Sequence, residues 1–319
     1  MEEDNTPLKP FREGDVTKDI KKLNPNKSSD EFGLAAEHLK YGVEVICPAL
    51  TMVFNEILTS SKSPESFKSG IITPVLKRDK DPALVNNYRG ITVTAVIGKT
   101  FENCLLEKLN LVNESELQFG FTKGLFPLIA GLLMSKAKYE ILQVQKTLFI
   151  GLFDVQSAFD VVQHIILMDK LFNQKIPLAL WSIIDDMYSG LTTRVKWKGE
   201  LSNTYPVWQG VRQGRLLSTH LYKIFVQDLL LELEENSLGY HLGNVYIGTP
   251  TCADDVAIIE RDSNNLQIMI NVISRYAKQH HYKINPLKTR ILDCSKHPSV
   301  DQCWEMNDID IKHQIQLHI

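Results

Sequence analysis

Two acidic stretches carry the chemistry that this sequence could support. Residues 152–160 read LFDVQSAFD, and residues 251–256 read TCADDV. Residues 148–153 form a strand-length apolar run interrupted only by Gly151, and Asp154 stands at its end. Asp254 and Asp255 lie between Val245-Tyr246-Ile247 and Val256-Ala257-Ile258-Ile259. That pattern predicts a β-hairpin with acids at or near its turn. A strand-end Asp and a hairpin Asp pair can converge on hard, oxygen-seeking cations such as Mg²⁺. Two such ions, roughly 4 Å apart, can clamp the attacking and leaving oxygens of a phosphoryl transfer. The plainer alternative is that Asp pairs are common in turns and that an Asp after a strand caps a helix.

Cations that suit phosphate stand elsewhere in the chain. Lys77, Arg78, Lys80 and Arg89 cluster against Asp79 and Asp81 in a Pro- and Asn-containing loop, a local excess of two positive charges. A charge run of this kind is ordinarily a solvated face. A Lys point charge and an Arg fork also suit a triphosphate. Residues 188–220 hold five basic residues (Arg194, Lys196, Lys198, Arg212 and Arg215) and one acid, Glu200. This is the best candidate for a surface that tracks a nucleic-acid backbone. Gln213 and Gly214 form a turn bracketed by Gly210, a feature that lets backbone approach a ligand.

These residues must be positioned by helices and strands. Apolar spacing predicts helices over residues 96–109, 128–142, 161–172, 177–188, 216–233 and 266–276. Residues 71–76 and 91–93 read as strands, and residues 193–207 alternate as a hairpin around Gly199-Glu200. Lys27-Ser28-Ser29-Asp30 offers N-cap residues before a helical pattern. Pro48 breaks that helix or opens a second one. Asp160 is expected to cap the helix that follows it. Residues 314–319 read as a strand.

Composition narrows the class. The 319 residues are 44% hydrophobic, enough for a sizeable core, and the formal net charge is −3. A globally basic nucleic-acid binder is therefore not indicated, and any such surface must be local. Five scattered cysteines without a CxxC pair suggest free thiols in a reducing compartment. Cys294, His297, Cys303 and His313 match no standard zinc spacing. No apolar run approaches the ~18 residues of a membrane span, so no membrane partner is expected.

The order of Asp154, the Gln213-Gly214 turn and the Ala253-Asp254-Asp255 box resembles the palm of a reverse transcriptase, specifically the non-LTR (LINE-type) retrotransposon family. QFGFTKG at residues 118–124, NYR at 87–89 and INPLKT at 284–289 resemble further family signatures in the same order. The resemblance implies an α+β right-hand polymerase fold with an antiparallel palm sheet flanked by helices. It divides the chain into an N-terminal helical extension over residues 1–68, fingers over 69–146, and a palm with part of the fingers over 147–319. A thumb would follow and an endonuclease would precede, and neither is expected within these residues.

The implied reaction is RNA-templated addition of deoxynucleotides to a DNA primer. Asp154, Asp254 and Asp255 would hold two Mg²⁺ ions, with Mn²⁺ as an alternative. Asp254 is expected to be the tighter ligand, since adjacent strand residues face opposite ways. Lys77 and Arg89 match the positions that meet the nucleotide's phosphates, and Gln213 and Gly214 those that abut nucleotide and template. Phe159 sits where the family places an aromatic that clashes with a 2′-OH; the alternative is core packing. Lys288 is placed to support the leaving group as a general acid, or is simply a solvated surface lysine. The implied setting is intracellular, in nucleus and cytoplasm as a ribonucleoprotein.

The sequence departs from the family at four positions. Gly90 stands where Pro is common, Cys252 where an aromatic is usual, Arg215 where a small residue follows the Gln-Gly turn, and Thr219 where a Leu-Ser-Pro run ends. Arg215 either blocks the pocket or turns outward to touch phosphate. A decayed copy that binds nucleic acid without catalysis is the alternative function. A metal-dependent hydrolase outside the family would need a His or Glu near the acids, and none stands out.

Overall fold

The computed structural model describes residues 7–109, 115–120, 122, 124–144, 146–285, 288–298 and 302–315. In chain order, the N-terminal part runs through α1 (Glu13–Lys22), α2 (Ala36–Tyr41), α3 (Val43–Ser60) and α4 (Glu65–Lys68). The hairpin β1 (Ile71–Leu76) and β2 (Tyr88–Val93) follows, then α5 (Val96–Leu106) and α6 (Pro127–Gln143). Next come β3 (Phe149–Asp154), α7 (His164–Asn173), α8 (Leu178–Tyr188), β4 (Thr192–Trp197), β5 (Glu200–Leu201) and β6 (Tyr205–Pro206). The long α9 (Leu216–Glu235) leads to the short strands β7 (His241–Leu242), β8 (Val245–Tyr246) and β9 (Thr251–Cys252), then β10 (Asp255–Glu260) and α10 (Ser263–Gln279). The last described elements are β11 (Arg290–Asp293), β12 (Glu305–Met306), β13 (Ile309–Asp310) and β14 (Lys312–Ile315).

The chain forms two compact units, residues 1–112 with 164–218, and residues 113–163 with 219–319. The expected contiguous boundaries at residues 68 and 146 therefore differ from the observed division. Residues 164–218 join the first unit because β4 pairs in parallel with β1, Ile71 opposite Arg194.

In the first unit, the sheet runs β2-β1-β4-β5, with β6 also on β4. Phe11, Phe54, Phe67 and Phe101 form its aromatic core, the Phe54 and Phe101 rings 5.2 Å apart. Asp30 does not cap the adjacent helix as expected. It folds its own loop through the Phe32 and Leu34 amides and accepts the Val96 amide at the start of α5 at 2.9 Å. Pro48 lies inside an unbroken α3. Glu44, whose carbonyl loses a helical bond to Pro48, is exposed, so water can satisfy it. The β4–β5 turn is Lys198-Gly199, one residue earlier than expected.

The expectation that no segment reaches spanning length is corrected by α3, which has 18 residues and a mean hydropathy of 1.3. Its Leu50, Phe54, Ile57 and Leu58 are buried, and Asn55 exchanges hydrogen bonds with the Phe11 backbone. A third of the helix is buried, while Val45, Met52 and Val53 remain exposed.

In the second unit, the sheet order is β14-β11-β3-β10-β9. It is mixed rather than purely antiparallel, since β11 and β14 run parallel. β3 is central, and Leu148, Phe149, Ile150 and Phe153 are buried. Ile141 and Ala137 of α6 pack with Ile150 and Ile259 in one cluster. On α10, Leu266, Met269, Ile270 and Ile273 are buried, and Asp262 caps its N-terminus by accepting the Asn264 and Asn265 amides at 2.9 Å.

Candidate active site

The acids come together in the second unit. Asp154 closes β3 and Asp255 opens β10, and the antiparallel register pairs them directly. Residues directly opposite in such a ladder share a face. Asp254 precedes Asp255 in the two-residue turn that joins β9 to β10, with Cys252 opposite Asp255. The strand expected to partner β10, residues 245–247, instead supplies β8, which pairs with β7. The register places Asp255 on the same face as Asp154.

The charges respond to this crowding. Burial, then the Asp254 and Asp154 carboxylates, push the Asp255 carboxyl above the usual range, and Lys288 pulls it back only in part. Burial, then the Asp255 and Asp254 carboxylates, also raise the Cys252 thiol, which disfavours a thiolate there. The donor set is therefore three carboxylates, hard oxygen ligands that fit Mg²⁺ better than a soft metal. Among the described residues, no three His, Cys, Asp or Glu side chains already form a closed metal cage.

Lys288 is held beside Asp154 by backbone. The Asn285 amide donates to the Asp154 carbonyl at 2.9 Å, and Gln156 donates to the Lys283 carbonyl at 2.8 Å. The Lys288 ammonium then reaches both Asp154 carboxylate oxygens, at 3.1 and 3.0 Å. Lys288 is 65% exposed and Asp154 30%, so the pair is solvent-screened and exchangeable.

Phe159 stacks on Tyr222 of α9, with centroids 4.8 Å apart and planes 16° apart. Tyr222 carried no signal in the sequence beyond its place on a helix. Its phenol is pushed well above the usual range by burial first, then by Tyr282, Asp254 and Asp255. It stays neutral beneath Phe159. Asp160 lies in a turn that closes on the Ser157 carbonyl, and α7 begins only at His164.

In the first unit, Lys77 and Arg89 share one hairpin. Val75 is opposite Arg89, and the Lys77 amide bonds the Asn87 carbonyl at 2.8 Å. Side chains two apart on a strand, and those directly across from them, point to one face. Val75 and Arg89 therefore share a face, whereas Lys77 lies one residue beyond β1 and its ammonium donates to the Asn86 carbonyl of the same hairpin at 3.0 Å. Gly90 fits opposite Pro74 in the same ladder. Gly214 has φ +99° with open space where a Cβ would be, so the turn needs glycine for its backbone and not for close approach. Gln213 precedes it in the same turn.

The proposed basic surface is only partly there. Lys196 and Lys198 are exposed, while Arg194 is paired with Glu31 at 2.8 Å. Arg212 donates to the Phe67 and Lys68 carbonyls. Arg215 neither blocks a pocket nor turns outward. It is 3% exposed, ion-paired with Glu102, and donates to the Thr94 hydroxyl at 2.8 Å. Glu102 is the partner that the sequence did not suggest.

Comparison with known proteins gives a consistent picture. A family model described as reverse transcriptase (RNA-dependent DNA polymerase) matches residues 75–305. The chain is 27% identical over 70% of its length to a probable RNA-directed DNA polymerase from transposon X-element of Drosophila melanogaster, covering 25% of that protein. It is 26% identical over 88% of its length to the RNA-directed DNA polymerase from mobile element jockey of Drosophila funebris, covering 31% of it. It is also 26% identical over 75% of its length to a retrovirus-related Pol polyprotein from type-1 retrotransposable element R2 of Nasonia vitripennis, covering 23% of it. The chain thus spans about a quarter to a third of the length of these relatives.

Proposed function

Because the chain belongs to the reverse transcriptase (RNA-dependent DNA polymerase) family, we propose that it adds deoxynucleotides to a primer 3′-OH on an RNA template. The observation that carries this reading is the placement of Asp255 across from Asp154, with Asp254 in the adjoining turn. In this reading the β14-β11-β3-β10-β9 sheet serves as the palm and the β1–β2 hairpin as a finger.

Asp154, Asp254 and Asp255 would hold two Mg²⁺ ions, whose chemistry is to acidify the attacking hydroxyl and neutralise the triphosphate. Lys77 and Arg89 add countercharge to the phosphates, which matters most where charge develops in the transition state. Phe159, backed by Tyr222, presents a ring edge that a 2′-OH would strike. Lys288 leaves Asp154 and gives its proton to the departing pyrophosphate. Arg215, one of the departures from the family pattern, is paired with Glu102 and so does not by itself favour a binding-only protein.

The test is primer extension on an RNA template with dNTPs and Mg²⁺. Templated extension is expected. A folded protein that binds primer–template but extends nothing with Mg²⁺ or Mn²⁺ would favour the binding-only reading.

A further inference from the structure

We propose that residues 117–120 form a strut that sets the position of the Asp254-Asp255 turn, and that Gly120 is a positioning residue for polymerisation. The consequence for catalysis rests on the polymerase reading, whereas the geometry does not. β9 is only two residues long and stands at the edge of its sheet. On the β10 side the contact continues through the Ala257 and Ile259 amides, which donate to the Pro250 and Gly248 carbonyls at 3.1 and 2.8 Å. The outer edge of β9 is closed by the strut: the Phe119 amide donates to the Thr251 carbonyl and the Thr251 amide to the Leu117 carbonyl, both at 2.8 Å.

Gly120 then lies against the turn itself. A Cβ at this position would be 2.3 Å from the Ala253 nitrogen, 3.0 Å from the Cys252 carbonyl carbon and 3.1 Å from the Ala253 Cα. All three are backbone atoms, so no rotamer change relieves the clash. Any larger residue must displace the turn that carries Asp254. Ala253 has φ +59°, as the first residue of a two-residue hairpin turn, and Gly120 packs directly against its backbone.

The strut is anchored at its other side. Gln118 is 3% exposed, and its amide donates to the Gln227 side chain at 2.6 Å and the Lys223 carbonyl at 3.2 Å. Both partners lie on α9, which also carries Tyr222 beneath Phe159. Leu117 and Phe119 are buried with Ala130 of α6. One helix thus references both the aromatic beside the acids and the strut behind them.

The experiment compares Gly120→Ala with Gly131→Ala, a helical glycine with open space around it. It reads amide hydrogen exchange at residues 251–255, Mn²⁺ titration of the protein, and extension kinetics. Gly120→Ala should speed Thr251 exchange and raise the Mn²⁺ midpoint several-fold. It should lower kcat about tenfold or more with the dNTP KM little changed, as expected for a small misplacement of reacting groups. Gly131→Ala should change none of these. A folded Gly120→Ala protein with wild-type Thr251 protection and Mn²⁺ midpoint would overturn the proposal. If Gly120→Ala fails to fold, Gln118→Ala, which removes the anchor without adding volume, must show the same faster exchange; unchanged exchange would overturn it equally. Faster exchange in a protein whose wild type never extends a primer would retain the strut and reject the polymerase reading.

Discussion

Asp255 and Asp154 face each other across the β3–β10 ladder, and Lys288 sits on both oxygens of Asp154. The ammonium offsets the repulsion between the acids, so it competes with any cation they bind. Lys288→Ala should therefore tighten Mn²⁺ binding, by up to about fivefold for an exposed pair, while slowing primer extension. Weaker Mn²⁺ binding in the variant would show that Lys288 organises the acids instead.

Arg215→Gly should not improve activity. Removing the guanidinium leaves the Glu102 carboxylate, 5% exposed, without its ion-pair partner. Loss of one member of a buried pair costs about 3–5 kcal/mol. Thermal unfolding should show a large fall in Tm, and the double variant Arg215→Met/Glu102→Leu should recover most of it. A single variant with unchanged Tm and higher activity would restore the view of Arg215 as an obstruction.

Phe159→Ala should admit ribonucleotides, since its ring is held in place by the stack on Tyr222. Tyr222→Phe keeps the stacking surface and should preserve discrimination. Misincorporation assays with paired rNTP and dNTP would decide, and an unchanged preference in Phe159→Ala would remove the ring from sugar selection.

Asp186 gives the first unit an acid-sensitive anchor. Burial opposes its ionisation, but the Ser63 amide and hydroxyl, Lys62 and Lys68 outweigh it and hold the carboxyl at about 2. A depressed carboxyl stabilises the fold above its unfolded value of 3.8, and this contribution is lost as pH falls through about 2. The shift is worth on the order of 2 kcal/mol. Asp186→Asn should lower stability in urea at pH 7, and the gap to wild type should close between pH 4 and 2. A gap that stays constant with pH would contradict this assignment.

Much of this architecture was legible because periodicity is local. Helices α6, α8 and α10 follow their apolar spacing, and β3 its uninterrupted run. Asp154 was placed at a strand end for the same reason. The errors arose where distant residues decide. Val245-Tyr246-Ile247 looked like the partner of β10, yet that role fell to Thr251–Cys252, a pair too short for a pattern and fixed by Leu117 and Phe119. The fate of Arg215 depended on Glu102, 113 positions away. Arg212 likewise found backbone carbonyls at Phe67 and Lys68 rather than solvent. Long-range ion pairs and carbonyl contacts leave no spacing to read.

The most direct measurement is primer extension on an RNA template with dNTPs and Mg²⁺, run beside Asp254→Asn at matched Tm. Templated DNA synthesis by the wild type and none by the variant is the predicted result. Equal synthesis by both proteins would contradict the account, because it would remove the acid turn from the chemistry.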